Sequence, residues 1–312
     1  QIKLMNKLTK KAFEIMDEAE ALFLIGEMAK GLNKLGDGFQ KLRQKSPAED
    51  WVSFAGSSFF KHSVVKIVHQ DPFTHHAFIK PRNYAGDAEL VDYMYGCRNL
   101  SLETTEIGKQ IYEVGLDCPA PKSVRARREI IAAMIDDLAE NSSNLRMLSI
   151  ACGHLREASI SQAVLYRKVS EYFALDQDAL SLEVVKNELS QYNVKPIHAS
   201  IKSLFTNGHE FQKLDFVYAA GLYDYLSQRA ANKLTAKMFG MLKSGGKLLI
   251  ANFAPCLRDI GYMETFMQWK LIYREEAEVL DFASGISQVE IAERRLFWDE
   301  PQNVIYLEIV KK

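Results

Sequence analysis

The stretch MLSIACGHLREAS, Met147 to Ser159, decides how this chain is read. An apolar segment runs straight into Ala151, Cys152 and Gly153, and a polar segment able to start a helix follows. Small side chains at a strand-to-helix handover let another group approach the backbone, and Gly153 lets the chain bend there. In a doubly wound sheet the ligand lies beyond the carboxyl ends of the strands, nearest the first such turn, where free N–H groups and the positive end of the next helix face it. The plainer alternative is that the three residues only pack a tight turn. About twenty residues on, the strand-like EYFALD closes at Asp176. An ionised carboxylate accepts hydrogen bonds through two oxygens, which suits the two hydroxyls of a ribose. Asp176 or Asp178 could equally cap the following helix. Taken together, turn and acid favour a nucleoside-containing cofactor.

Outward from this stretch, strand signals at 146–151, 171–176, 194–199, 214–220 and 246–253 alternate with helical segments at 157–166, 180–190 and 227–242. At the end, SQVEIAERRLFW and NVIYLEIVKK flank the turn DEPQ and read as a hairpin. The expected fold is α/β: a Rossmann-like, seven-stranded, mostly parallel sheet with a C-terminal antiparallel hairpin. A mainly helical N-terminal domain precedes it. Apolar residues recur at helical spacing over 7–45, with Gly26, Gly31 and Gly36 as weak points, and a mainly helical segment follows to about Asp71. The block from Asp71 to Asn99 mixes prolines, glycines, aromatics and charges without a period, which predicts an ordered functional loop leading into a short helix at 87–95. A further helix is expected over 124–141. The domains are therefore 1–140, helical and lid-bearing, and 141–312, built on the sheet.

The totals limit the partners. With 39 Lys and Arg against 40 acids among 312 residues, the net charge of -1 offers no field for nucleic acid or an anionic membrane. The four cysteines are scattered, without zinc spacing, so no metal is expected and a reduced, cytoplasmic setting fits best. No apolar run reaches the length of a membrane span and no signal peptide is visible. The opening QIKLMNKLTKK lacks a Met and begins in mid-pattern, as a fragment of a longer chain would.

On these motifs residues 141–312 resemble the class I S-adenosylmethionine-dependent methyltransferases. LSIACGHL is similar to the family's glycine-rich first motif, LDQD to its acidic second, HASIKSL to the turn after strand three, LDFVYAAGLYDYL to strand four, and MFGMLKSGGKLLIANF to the turn entering strand five. The resemblance implies S-adenosylmethionine as cofactor. It places Ala151, Cys152 and Gly153 against the cofactor, Asp176 on the ribose and Gln177 along the adenine edge. Ser200 and Ile201 would lie beside the adenine, and Ala220 and Gly221 would flank the sulfonium. Two departures stand out. Ser149 occupies the place of a usual acid, and Ala151 and Leu155 replace two of three glycines. The cofactor's amino acid end then needs other partners, and KPRNYAGDAELVDYMYG supplies Tyr84 and Asp87 in a segment that could fold over it as a lid or serve only as an interdomain linker.

Methyl transfer is a displacement at a sulfonium carbon, so alignment supplies much of the catalysis. The loop AAGLYDYLSQ offers Tyr223, Asp224 and Tyr225 as catalytic candidates, and the N-P-P-[YF] element of amide and adenine N-methyltransferases is absent. Residues 254–283 add Tyr262, Phe266, Trp269 and Tyr273 with Arg258 and Arg274, a set that could hold an acyl chain and its carboxylate or simply form helix core. Together with DPFTHHAF, the segment GYMETFMQWKLIYR resembles a bacterial group linked to biosynthesis of a 3-hydroxy fatty acid methyl ester signal. The expected function is methyl transfer to a small molecule, such as the carboxylate of a hydroxy fatty acid. That acceptor needs no base; for a hydroxyl or amine, His75, His76, His154 or His198 would be the candidates. Two alternatives stand beside it: an NAD-dependent oxidoreductase, weakened by the missing G-x-G-x-x-G, and a non-catalytic binding protein on the same fold. The N-terminal helices would bury a face either against the catalytic domain or in a homodimer.

Overall fold

The computed structural model describes residues 2–56, 61–142, 144–206 and 211–312. In chain order the elements are α1 (Ile2–Leu24), α2 (Met28–Lys45), α3 (Ala48–Ala55), α4 (Ser63–Val68), α5 (Pro72–Ile79), α6 (Ala88–Met94), α7 (Glu106–Leu116), α8 (Pro119–Glu140), β1 (Leu145–Ile150), α9 (Gln162–Leu165), β2 (Val169–Asp176), α10 (Ala179–Leu189), β3 (Val194–His198), β4 (Leu214–Ala219), α11 (Gln228–Gly240), β5 (Leu242–Phe253), α12 (Ile260–Thr265), α13 (Glu276–Asp281), β6 (Ile291–Trp298) and β7 (Val304–Lys311). They form two compact units, Gln1–Val124 with Cys256–Lys270, and Arg125–Pro255 with Leu271–Lys312. This division differs from the one expected at 140. Most of α8 belongs with the sheet, and the segment after β5 returns to the helical unit.

In the helical unit, Ala12, Met16, Ala19 and Phe23 of α1 meet Leu32, Leu35 and Phe39 of α2 in one core. The expected break near Gly26 is real: Gly26 takes φ +83° and Glu27 N–H returns to Leu22 O, so the chain turns and α2 runs back. Glu264 of α12 is pinned to this unit by Arg43, Nε to Oε2 at 2.7 Å, and by Trp51 Nε1 at 2.6 Å. One expectation fails here. The block after Asp71 opens not as a loop but as α5, because the Asp71 carboxylate caps Phe73 and Thr74 N–H and Pro72 sits at the first helical position, where no N–H is needed. Helix α7, capped by Thr105, also escaped the sequence reading.

The second unit carries the sheet, in order β3-β2-β1-β4-β5-β7-β6. All neighbours are parallel except β7, which runs antiparallel between β5 and β6, as the terminal hairpin predicted. Strand β4 is buried along its whole length and β1 nearly so, as continuous apolar runs in a sheet covered on both faces require. Chain order reverses between β1 and β4; in open sheets of this kind ligands lie beyond the carboxyl end of such a switch point.

Arg274 ties the chain beyond β5 into this unit from a fully buried position. Its guanidinium donates to Tyr223 O at 2.9 Å, to Asn252 Oδ1 at 2.7 Å, to Leu226 O and to Gln228 Oε1. Arg274→Met therefore leaves buried carbonyls without donors, each costing about 1–3 kcal/mol. Urea denaturation should show a loss of about 3 kcal/mol or more; a loss below about 1 kcal/mol, the size of an ordinary surface change, would contradict this role.

Candidate functional site

The turn after β1 has an unusual backbone. Ala151, Gly153 and Leu155 all take left-handed φ, +54°, +55° and +51°. A residue with a Cβ loses roughly 1–2 kcal/mol in that region relative to its right-handed form, so Ala151 and Leu155 hold a shape that glycine would adopt without strain. These are the positions where the resemblance expected glycine. The residues departed from the pattern and the backbone did not.

The helix expected at 157–166 is not there. From Leu155 to Ile160 the chain makes successive turns closed by short-range bonds such as Leu155 N–H to Cys152 O and Ala158 N–H to Leu155 O, and only Gln162–Leu165 is helical. The turn is therefore not followed directly by a helix N-terminus, and that segment supplies no dipole for an anion. Individual N–H groups remain. Gly153 N–H donates to Asp176 Oδ2 at 2.8 Å, and Cys152 N–H to Leu175 O at 3.1 Å.

Asp176 ends β2 facing this turn. Its second oxygen accepts Asp178 N–H at 2.9 Å, and Asp178 caps α10. Asp178 is thus the cap, and Asp176 braces the turn. Burial pushes the Asp176 carboxyl up from its usual range, against the Asp178, Gly153 and Gln177 N–H donors that favour its charge. A carboxylate has about four lone-pair sites, so acceptor capacity remains beyond these three. Beside it, Gln177 is exposed and its carbonyl accepts from His198 Nε2 at 3.0 Å; Ser200 is exposed and Ile201 lies against the core. Burial, then Asp176 and Glu157, push the Cys152 thiol well up, so it is no nucleophile at neutral pH.

Two buried charges that sequence reasoning missed flank the switch point. Arg127 of α8 donates to Ala220 O, in the turn after β4, at 2.7 Å, and its guanidinium borders Gly221. Glu157, in the turn after β1, accepts from Tyr218 Oη at 2.5 Å. Tyr218 has one proton and gives it to Glu157, so Tyr172 donates in turn to Tyr218. Ser149, in the place of the usual acid, hydrogen-bonds this Tyr218. Desolvation raises the Glu157 carboxyl, while Arg127 and Arg128 pull it down. The signal that could have found them is VRARREI, three arginines in a helix that precedes the sheet.

Other candidates are placed elsewhere. Tyr223 points into the core, bonded to Thr235 Oγ1 at 2.8 Å, and is no catalytic group. Asp224 is buried and accepts Phe253 N–H at 2.8 Å, whereas Tyr225 is exposed. Arg274 is spent on the fold, as above, and Phe266 is core, against Phe39 and Tyr262; neither is a substrate residue. Tyr273 is half-buried. In the helical unit, Asp87 caps α6 through Leu90 N–H and holds His76 Nε2 at 2.9 Å, with Tyr84 half-buried nearby in sequence. Arg258, Tyr262 and Trp269 line one cleft of that unit. Among the described residues Asp17, Glu20 and His62 come together, but His62 Nδ1 accepts Val64 N–H and Nε2 holds Asp17, which leaves no lone pair for a metal. The four cysteines are free thiols, and no described helix is long and apolar enough to cross a membrane.

The comparisons agree on fold. No protein-family model matches the sequence, and no curated protein does. Among solved structures, a "possible exported protein" from Bordetella parapertussis is similar over 92% of this chain and 96% of its own, with 13% identity and a TM-score of 0.61. A DUF574-family protein from Streptomyces avermitilis covers 72% of this chain and 97% of its own, at 15% identity and a TM-score of 0.53. The magnesium protoporphyrin IX methyltransferase of Synechocystis, with S-adenosylhomocysteine bound, covers 71% and 92% at 11% identity and a TM-score of 0.48. The first two likenesses support the Rossmann-like fold that the sheet order gives.

Two predictions follow from this geometry. Ala151→Gly removes left-handed strain, so it should leave the melting temperature unchanged or raise it, where Gly in place of Ala ordinarily destabilises; a clear drop would mean that Ala151 is not strained. Burial raises the Asp224 carboxyl from 3.8 to about 6. Between those values the folded chain holds a proton that the unfolded chain has lost, so this group makes stability fall by about 3 kcal/mol as pH rises from about 4 to about 6. Asp224→Asn keeps the acceptor for Phe253 N–H and removes the titration. Thermal unfolding should find it more stable than the parent at pH 7.5 and equal at pH 4; the same difference at both values would refute the assignment.

Proposed function

We propose that this protein is an S-adenosylmethionine-dependent methyltransferase acting on a small molecule. The observation that carries the reading is the turn at 151–155, which keeps three left-handed residues, two of them strained, next to a buried carboxylate on the following strand. Strain held in a turn at the switch point supports a backbone shaped for a ligand. The acceptor capacity left on Asp176 suits a ribose hydroxyl. Arg127 and Glu157, buried and of opposite sign, suit the carboxylate and ammonium of the methionine end, which Ser149 cannot serve. The cofactor supplies an activated methyl group, and the acceptor's lone pair takes it as the carbon–sulfur bond breaks. The absence of G-x-G-x-x-G argues against NAD, which needs that approach for its pyrophosphate.

The acceptor we propose to test first is the carboxylate of a hydroxy fatty acid. Neither Arg274, spent on backbone carbonyls, nor Arg258, shared with Asp37 and Asn33, is taken as its partner. The segment at 80–92 as a lid, a homodimer through the N-terminal helices and a reducing, cytoplasmic setting remain part of the proposal.

Isothermal titration separates the readings. S-adenosylmethionine and S-adenosylhomocysteine should bind and NAD should not; NAD binding alone would favour an oxidoreductase, and binding of none a non-catalytic protein. Asp176→Asn should weaken the cofactor at least about tenfold, the value of a hydrogen bond to a charged group. Glu157→Gln and Arg127→Gln should weaken S-adenosylmethionine but leave 5′-methylthioadenosine, which lacks the amino acid, unchanged; equal losses for both ligands would show that these residues only hold the fold.

A further inference from the structure

The helical unit contains a narrow cleft, open at its mouth, whose space counted together with the open solvent there is about 590 Å³. It lies among α2, α5, α7, the start of α8 and α12, and its wall is mainly apolar, with Phe73, Met263, Met267 and Trp269 prominent. Two glycines in its wall need an explanation. Glycine is the poorest helix former after proline, and Gly36 lies in the middle of α2 and Gly115 near the end of α7. Gly31 and Gly38, also in α2, are accounted for by packing: a Cβ would come within 2.6 Å of Phe23 at the first and of Ile15 at the second. Gly108 and Gly261 are likewise pressed against backbone. At Gly36 and Gly115 a Cβ would meet nothing within 4 Å, and Gly115 is nonetheless buried. What their small size protects is the open space of the cleft.

The polar groups on the wall are already committed. Asp71 caps α5 with both oxygens, Asp259 Oδ2 accepts Ala120 N–H at 2.7 Å, and Thr74 Oγ1 pairs with Tyr262 Oη at 3.1 Å. The Arg258 guanidinium is shared between Asp37 and Asn33. Burial raises both Asp71 and Asp259 to about 6, a mark of how poorly this wall supports charge. An anion entering would meet two carboxyls and a cation already neutralised. An ammonium would give up its water to an apolar surface.

We propose that this cleft is a binding site for an uncharged, mainly hydrocarbon small molecule, with a hydroxyl or carbonyl able to join the Thr74–Tyr262 pair, and that Gly36 and Gly115 keep it open. The proposal goes beyond methyl transfer and does not rest on it. N-phenyl-1-naphthylamine, an uncharged probe whose fluorescence rises in apolar sites, should bind the whole protein saturably. At pH 8, 1-decanol should displace it at least tenfold better than decanoate or decylamine. Gly36→Leu and Gly115→Leu put a side chain into the space from a Cβ that meets nothing within 4 Å. Each should melt at or above the parent temperature and bind the probe at least tenfold more weakly, and Gly36→Ala should stabilise by removing a helical glycine. The proposal is overturned if the probe does not saturate, if both Leu variants bind it as the parent does, if either glycine substitution lowers stability through a clash, or if decanoate or decylamine competes as well as the alcohol. Because the probe reports no cofactor, these outcomes leave the methyltransferase reading to its own test.

Discussion

The hydrogen bond from Gly153 N–H to the Asp176 carboxylate joins the ends of two neighbouring parallel strands at the place where the sheet changes direction. The order of the sheet brings β2 beside β1, and the register sets Leu175 against Ile150, so the residue that follows each of these is already close. The acid then needs only its ordinary acceptor chemistry to hold the turn. A turn held in this way tolerates what it would otherwise reject, two residues with side chains in left-handed backbone. The constraint explains how the chain loses glycines at 151 and 155 without losing the shape they would have given.

That shape was legible in the sequence for a physical reason. Apolar runs of five or six residues in a parallel sheet leave a strong signal because both faces are buried, and a small-residue turn followed by an acid about one strand and helix later leaves another. The strands and the terminal hairpin are where their patterns put them. What escaped is local hydrogen bonding. The segment after Gly153 has the composition of a helix, but its backbone closes short turns instead, and no periodicity distinguishes the two over six residues. At α5 the error ran the other way: proline and aromatics suggested a loop, and one aspartate cap was enough to make a helix.

Charges were the least legible feature. Arg274 looked like a ligand for an acidic substrate because it stands among aromatics, yet it is wholly buried and feeds backbone carbonyls. Tyr223 and Asp224 follow a strand end and so looked catalytic, whereas one faces the core and the other receives Phe253 N–H. Arg127 and Glu157, by contrast, sit in an ordinary charged helix and an ordinary polar turn and are both buried. A sequence gives the sign of a charge but not the depth at which the fold holds it, and depth decides whether a charge is structural, functional or merely solvated.

Glycine carries the same ambiguity. In α2 alone, two glycines are small because a neighbouring helix leaves no room, and a third is small where there is room to spare. Packing explains the first two and cannot explain the last, since an alanine there would improve the helix and touch nothing. The same holds in α7, where Gly108 is crowded by the Gln70 carbonyl and Gly115 is not crowded at all. An unforced glycine facing a cleft on each of two helices means that the unit gives up helix stability to leave a volume open, and an apolar volume left open is one that something apolar can enter.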